Sequence, residues 1–212
     1  MARKKTTETD IYAATMRVAA LNGWRKARMT DIAEEAGLTL AELHDKYPSK
    51  TALLNDFVLH IDRIVLKGAV KTVDEDSSYR DRLFDILMRR FDALNPYKDG
   101  IRAIAKEAGG SVSEFLCSSQ RLLRSMRWML EAADINAVGF VGDLRVKGLG
   151  VVYATTTGVW LKDDDEDMAQ TMAALDKNLS RAERFATMQG PFSRRQGHDD
   201  DGNMVPKTGS AT

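Results

Sequence analysis

Apolar residues recur at helical spacing along most of the chain. Ile11, Ala14, Val18 and Leu21 mark one face of a first helix, and Asn22-Gly23 ends it. Thr30 is placed to cap a second helix, with Asp31 in the first turn, where the positive end of the helix dipole favours a carboxylate. That helix stops at Gly37. Thr39 caps a third, Leu40 to Tyr47, with Glu42 three residues on as a capping box requires, and Pro48 closes it. From Ser49 a longer helix carries Leu53, Leu54, Phe57, Ile61, Ile64 and Val65.

Asp74-Glu75-Asp76-Ser77-Ser78 reads as a loop. The next helix sets Leu83, Ile86, Leu87, Phe91 and Leu94 on one face before Asn95-Pro96. Ile101, Ile104, Ala105 and Ala108 mark a shorter one, ended by Gly109-Gly110. Val112, Phe115, Leu116, Leu122, Leu123, Met126, Met129 and Leu130 form a long amphipathic stripe. Asn136 to Trp160 reads as helix rich in small residues. Met168, Met172, Leu175, Leu179, Ala182 and Ala186 then alternate spacings of four and three, the narrow seam of helix-on-helix packing. The longest strand-like run is Gly150-Val151-Val152-Tyr153, and there are only 4 prolines, at positions 48, 96, 191 and 206. The fold class is therefore all-α.

Composition narrows the function. Of 212 residues, 43% are hydrophobic and 29% charged, which excludes a globally disordered chain. Basic and acidic residues number 31 each, so a nucleic-acid coat protein is excluded, though a local basic patch is not. Cys117 has no partner for an internal disulfide, and Met1 to Glu8 leads into no secretory apolar core. Gly148 to Leu161, the longest apolar-leaning run, is too short to span a bilayer. A cytoplasmic protein with no membrane span is expected. Beyond Gly190 the chain is polar and reads as a disordered tail.

Two short helices joined by Gly37-Leu38 make a helix-turn-helix, with Ile32, Ala33, Ala36, Leu38 and Leu43 as its small core. The segment resembles the TetR family of regulators. The resemblance rests on Gly23-Trp24, on Met29 through Thr39, on Leu43, on Tyr47-Pro48-Ser49-Lys50 and on Ala52-Leu53-Leu54. It implies a helical DNA-binding head, here 1–56, a ligand-binding and dimerisation body, here 57–189, and a tail at 190–212. It also implies a repressor acting as a homodimer on a palindromic double-stranded DNA operator. By resemblance, Thr30, Tyr47 and Lys50 hold phosphates. Thr39, Leu40, Ala41, Glu42, His44 and Lys46 lie at or beside the groove.

Charge bears on that expectation. From Thr30 to Tyr47 the acids Asp31, Glu34, Glu35, Glu42 and Asp45 face the single base Lys46, a net of −4. Non-specific affinity comes from neutralised phosphates. The compensating bases are Arg3, Lys4, Lys5, Arg25, Lys26, Arg28 and Lys50.

The body carries a second resemblance, in Arg89 through Tyr97, in Leu149 through Thr156, and in Trp160-Leu161-Lys162-Asp163 with Thr171 and Leu175. This stretch is similar to the TetR-fold accessory proteins of ubiquinone biosynthesis that bind isoprenoid lipids. That likeness implies the alternative function, a lipid-binding protein that does not bind DNA. The membrane-binding apolar carboxy-terminal helix of that group is replaced here by Ser193-Arg194-Arg195-Gln196-Gly197-His198 and three aspartates.

A small apolar effector would be lined by Phe84, Leu87, Met88, Phe91, Met126, Trp128, Met129 and Tyr153, unless these simply fill the core. The dimer interface is expected on Trp160, Met168, Met172, Leu175 and Leu179. Asp163 through Asp167 lacks the glycine and glutamate of a calcium loop, and His44, His60, His198 and Cys117 have no zinc spacing. Gly148-Leu149-Gly150 follows no strand, so it makes no dinucleotide site. No cofactor, no metal and no enzymatic activity are expected.

Overall fold

The computed structural model describes residues 6–69, 78–107 and 120–188, and every regular element among them is helical. The helices are α1 Glu8–Asn22, α2 Met29–Glu35, α3 Leu40–Lys46, α4 Lys50–Ala69, α5 Tyr79–Leu94, α6 Lys98–Glu107, α7 Gln120–Ala132, α8 Gly139–Trp160 and α9 Ala169–Met188; a 3-10 turn, Asn95–Tyr97, leads into α6. The expectations for the arm Arg3-Lys4-Lys5, most of the acidic loop, Gly109-Gly110, Val112, Phe115, Leu116, Cys117 and the tail lie outside the described residues.

Local chemistry sets most of the helix ends. Thr7 and Asp10 form a reciprocal capping box at α1, and Gly23, at φ 78°, turns the chain out of it. The α2 start differs from the sequence expectation. Its N-cap is Arg28, not Thr30, because the Arg28 backbone N–H donates to Asp31 Oδ2 at 3.0 Å. The Asp31 carboxylate, at the third helical position, fixes that end, and the Thr30 hydroxyl only donates to it at 3.3 Å. Ser49 caps α4, accepting from Ala52 N at 3.1 Å.

One contiguous core runs from Ile11, Ile32, Leu43 and Leu53 through Phe57, Ile61, Leu87 and Phe91 to Met126, Met129, Tyr153, Trp160 and Leu175. The helix α4 passes from the head into the body without a break and packs on α5 and α7. Helix α6 returns from the body to lie along α1. There Gly100 permits the close approach, since a Cβ would stand 2.5 Å from the Met16 carbonyl oxygen. At the end of α6, Glu107 Oε2 accepts from Arg25 N at 2.5 Å, and the Arg25 guanidinium donates to the Glu107 carbonyl at 3.2 Å. Leu21 departs from its expected place: it is 81% exposed.

Candidate nucleic-acid interface

The turn between α2 and α3 is built by backbone geometry. Gly37 adopts φ 67°, and the Leu38 N–H donates to the Ala33 carbonyl at 2.8 Å, closing α2 as a Schellman turn does. Thr39 then caps α3 in a complete box. Glu42 N donates to Thr39 Oγ1 at 3.2 Å, while Thr39 N and Oγ1 donate to Glu42 Oε2 at 2.7 and 2.9 Å. Leu43 anchors the helix, fully buried in the small core with Ile32 and Ala33.

That anchor decides what α3 presents. At about 100° per residue, Ala41 and Asp45 each stand roughly 160° from Leu43, so they form the outward crest. Leu40 and His44 flank it on one side and Glu42 on the other. Thr39, Leu40, Ala41, Glu42, His44, Asp45 and Lys46 are all exposed, as is Thr30 at the start of α2. A short exposed helix on a rigid pair is the geometry that enters a major groove.

Tyr47 and Lys50, expected at phosphates, make bonds inside the head. The Tyr47 ring is buried, and its hydroxyl donates to Asp56 Oδ2 at 3.0 Å; the Tyr12 hydroxyl donates to the same oxygen at 2.6 Å. Burial pushes the Tyr47 phenol up to about 12 and raises that of Tyr12 further, so both remain neutral donors. Lys50 Nζ donates to the Trp24 and Ala27 carbonyls, each at 2.8 Å, and lies 4.6 Å from the Trp24 ring centre. Tyr47 thereby joins α3 to α4, and Lys50 joins α4 to the segment after α1. A shallow cleft beside them is lined by Glu8, Lys46, Tyr47, Ala52 and Asp56. Other bases are paired too: Arg28 with Asp31 at 3.1 Å and Arg17 with Glu35 at 2.7 Å. The Asp31 carboxyl is held below its ordinary value, first by the Arg28 backbone N–H and then by its guanidinium. Lys26 and Lys46 remain exposed.

Residues 11–57 match the model of the bacterial regulatory proteins, tetR family. The head belongs to the TetR family. Beyond the head, the fold is similar to two solved structures. One is a TetR transcriptional regulator from Nitrosomonas europaea ATCC 19718, at 22% identity over 84% of this chain and 98% of that one, with a TM-score of 0.66. The other is a TetR transcriptional regulator from Rhodococcus sp. RHA1, at 19% identity over 82% of this chain and 93% of that one, with a TM-score of 0.55. No curated protein matches the chain. The whole described chain thus has the TetR-like all-α fold, and its head is that of a DNA-binding transcription regulator.

In the body, the structure brings together most of the expected effector residues. Leu87, Phe91, Met126, Met129 and Tyr153 are buried, with Phe84 and Met88 half-buried against them. Phe91 stacks on Tyr153 at 5.4 Å and tilts against Trp160 at 5.7 Å. Trp128 is a correction: it is 58% exposed, because on α7 the inward positions go to Met126, Met129 and Leu130.

The expected dimer residues need a second correction. Trp160, Met168, Leu175 and Leu179 are buried within this single chain, and Met172 is half-buried. Helix α9 lays its seam against α8 and α5 of its own body. The face left exposed lies on α8 instead, at Phe140, Val141, Leu144 and Val151. No helix among the described residues is long and apolar enough to cross a membrane.

A buried polar group lies beside the Phe91–Tyr153 cluster, outside the residues expected from sequence. Arg90 donates to Asp62 Oδ1, and the Ser125 hydroxyl donates to Asp62 Oδ2 at 2.7 Å. All three are buried, and the guanidinium lies 5.3 Å from the Tyr153 ring centre. The signal was available: Arg90 and Asp62 each stand three residues from a core position, Leu87 and Val65, on the inward face of a helix.

Proposed function

We propose that this chain is a ligand-responsive transcription regulator, a repressor, that binds a palindromic operator as a homodimer through α2 and α3. The carrying observation is the crest of α3: capped, anchored by buried Leu43, exposed along Thr39 to Lys46, and inside the segment that matches the TetR family.

Dimerisation is supported by the exposed face of α8. Val141, Leu144, Gly148, Val151 and Thr155 alternate spacings of three and four, and all are exposed. Phe140 beside them is 86% exposed. A Cβ at Gly148 would meet nothing within 4 Å, so a partner helix can approach closely there. Such a stripe is covered well by its own copy across a two-fold axis. Two heads then present two copies of α3, which suits a palindrome. An apolar effector is supported by the Met126–Met129–Phe91 cluster, since methionine adapts to varied shapes. The buried Asp62–Arg90–Ser125 group joins that cluster to α4, the helix that enters the head.

The test is capture of sheared genomic DNA by the intact chain, with Leu144→Glu as a control. The chain should retain a few discrete fragments sharing a palindrome. Leu144→Glu should scatter light as a monomer and lose those fragments. A dimer mass for that variant would refute this interface. The alternative, a lipid-binding TetR-fold protein that does not bind DNA, draws on the −4 charge of the motif and on the internal bonds of Tyr47 and Lys50. A folded dimer that retains no fragment, with a polyprenyl lipid seen by native mass spectrometry, would favour it.

A further inference from the structure

The two carboxylates of α3 are in different situations. Glu42 is engaged at home, accepting from the Thr39 N–H and hydroxyl. Asp45 stands on the crest beside Ala41, exposed and with no donor among the described residues. The helix reads Leu40-Ala41-Glu42-Leu43-His44-Asp45-Lys46, so its crest holds neither an amide nor a guanidinium, the groups that grip adenine or guanine with two bonds.

In the major groove, guanine shows two acceptors and thymine an acceptor and a methyl group. Adenine shows a donor beside an acceptor, and cytosine shows its N4 amino donor alone. A carboxylate lowered to that surface meets repulsion from guanine and thymine. Adenine gives a mixed contact, and only cytosine an unopposed bond. We infer that Asp45 is a specificity-determining residue selecting cytosine in each half-site, with Ala41 and Leu40 set against thymine methyl groups nearby. This rests on the operator-binding reading above. The same charge lowers affinity for every other sequence, because it approaches the phosphates unneutralised. Asp45 thereby widens the gap between operator and bulk DNA instead of only weakening both.

The test selects duplexes from a random-sequence pool at low salt with the full chain, with Asp45→Asn and with Asp45→Ala, each first checked for helical content and dimer mass. The wild type should enrich a site with a fixed cytosine in each half. It should bind that site on the order of ten-fold or more tighter than the same duplex with guanine there. Asp45→Asn should turn that position to adenine, which asparagine bonds twice, and leave the others in place. Asp45→Ala should lose preference at that position alone, which separates base reading from relief of charge. If both variants enrich the wild-type site unchanged, Asp45 reads nothing and the inference falls, while operator binding stands. If folded wild type and variants all enrich nothing, the operator reading fails and this inference with it.

Discussion

Removing the buried cation at the centre of the body gives a sharp test of how the fold is held. Arg90→Met keeps most of the apolar stem but deletes the guanidinium. Asp62 would then be left with side-chain exposure of 8% and one hydroxyl donor, Ser125. Removing one partner of a buried pair costs about 3–5 kcal/mol, because the other charge stays desolvated. For a chain of this size each kcal/mol moves Tm by about 2–4 °C, so a fall of roughly 6–20 °C follows. Replacing both, Arg90→Met with Asp62→Leu, removes the stranded charge, and such exchanges are often near neutral. Ser125 keeps a second acceptor, the Arg121 carbonyl at 3.4 Å. The double variant should therefore be more stable than Arg90→Met alone. Guanidinium unfolding followed by circular dichroism, at one fixed protein concentration, measures all three proteins. A single-variant loss below about 1 kcal/mol, or a double variant no better than the single, would show that Asp62 is not stranded by loss of the guanidinium.

Thr39→Ala removes the α3 capping box and should cost about 1 kcal/mol, read as faster amide exchange across Leu40 to Lys46; Thr39→Ser should restore protection. Asp163 is buried, which alone raises its pKa, but the Thr171 hydroxyl and N–H donate to Oδ2 at 2.6 and 2.7 Å and hold it net below the ordinary 3.8. A depressed carboxyl contributes stability that is present above its unfolded value and lost as pH falls through its folded one, so Asp163→Asn should lower stability near neutrality and flatten the acid side of the stability profile. Lys46→Ala should make the slope of log affinity against log salt shallower by about 0.9, whereas Lys50→Met should leave that slope alone and destabilise the head. Equal slope changes in both would contradict the internal role of Lys50.

Much of the head was legible because its devices are local. Thr39 and Glu42, Gly37 and Pro48 act within a few residues, so their spacing alone predicts α3 and its turn. Thr30 does not cap α2 because two chemistries compete for one helix end, and the Asp31 carboxylate reaching back to Arg28 wins over a hydroxyl. Tyr47 and Lys50 match the family motif, yet what they bond is tertiary: Asp56 on α4, and carbonyls after α1. The seam on α9 shows the same limit from another side. Periodicity tells that Met168, Leu175 and Leu179 face another helix, but not whether it belongs to the same chain. Helix α8 hid its free face because apolar residues run almost all round it, and only packing against α7 and α9 separates buried Val152 and Tyr153 from exposed Leu144 and Val151.

Everything proposed above depends on this head, with its acidic helix-turn-helix, recognising one DNA sequence. A fluorescence titration of the intact chain against a captured genomic fragment, and against the same fragment with its sequence shuffled, measures this at physiological salt. Two chains should bind per site, with an affinity ratio of about a thousand or more. Equal affinities for the two duplexes, or no binding to either by folded dimer, would contradict it.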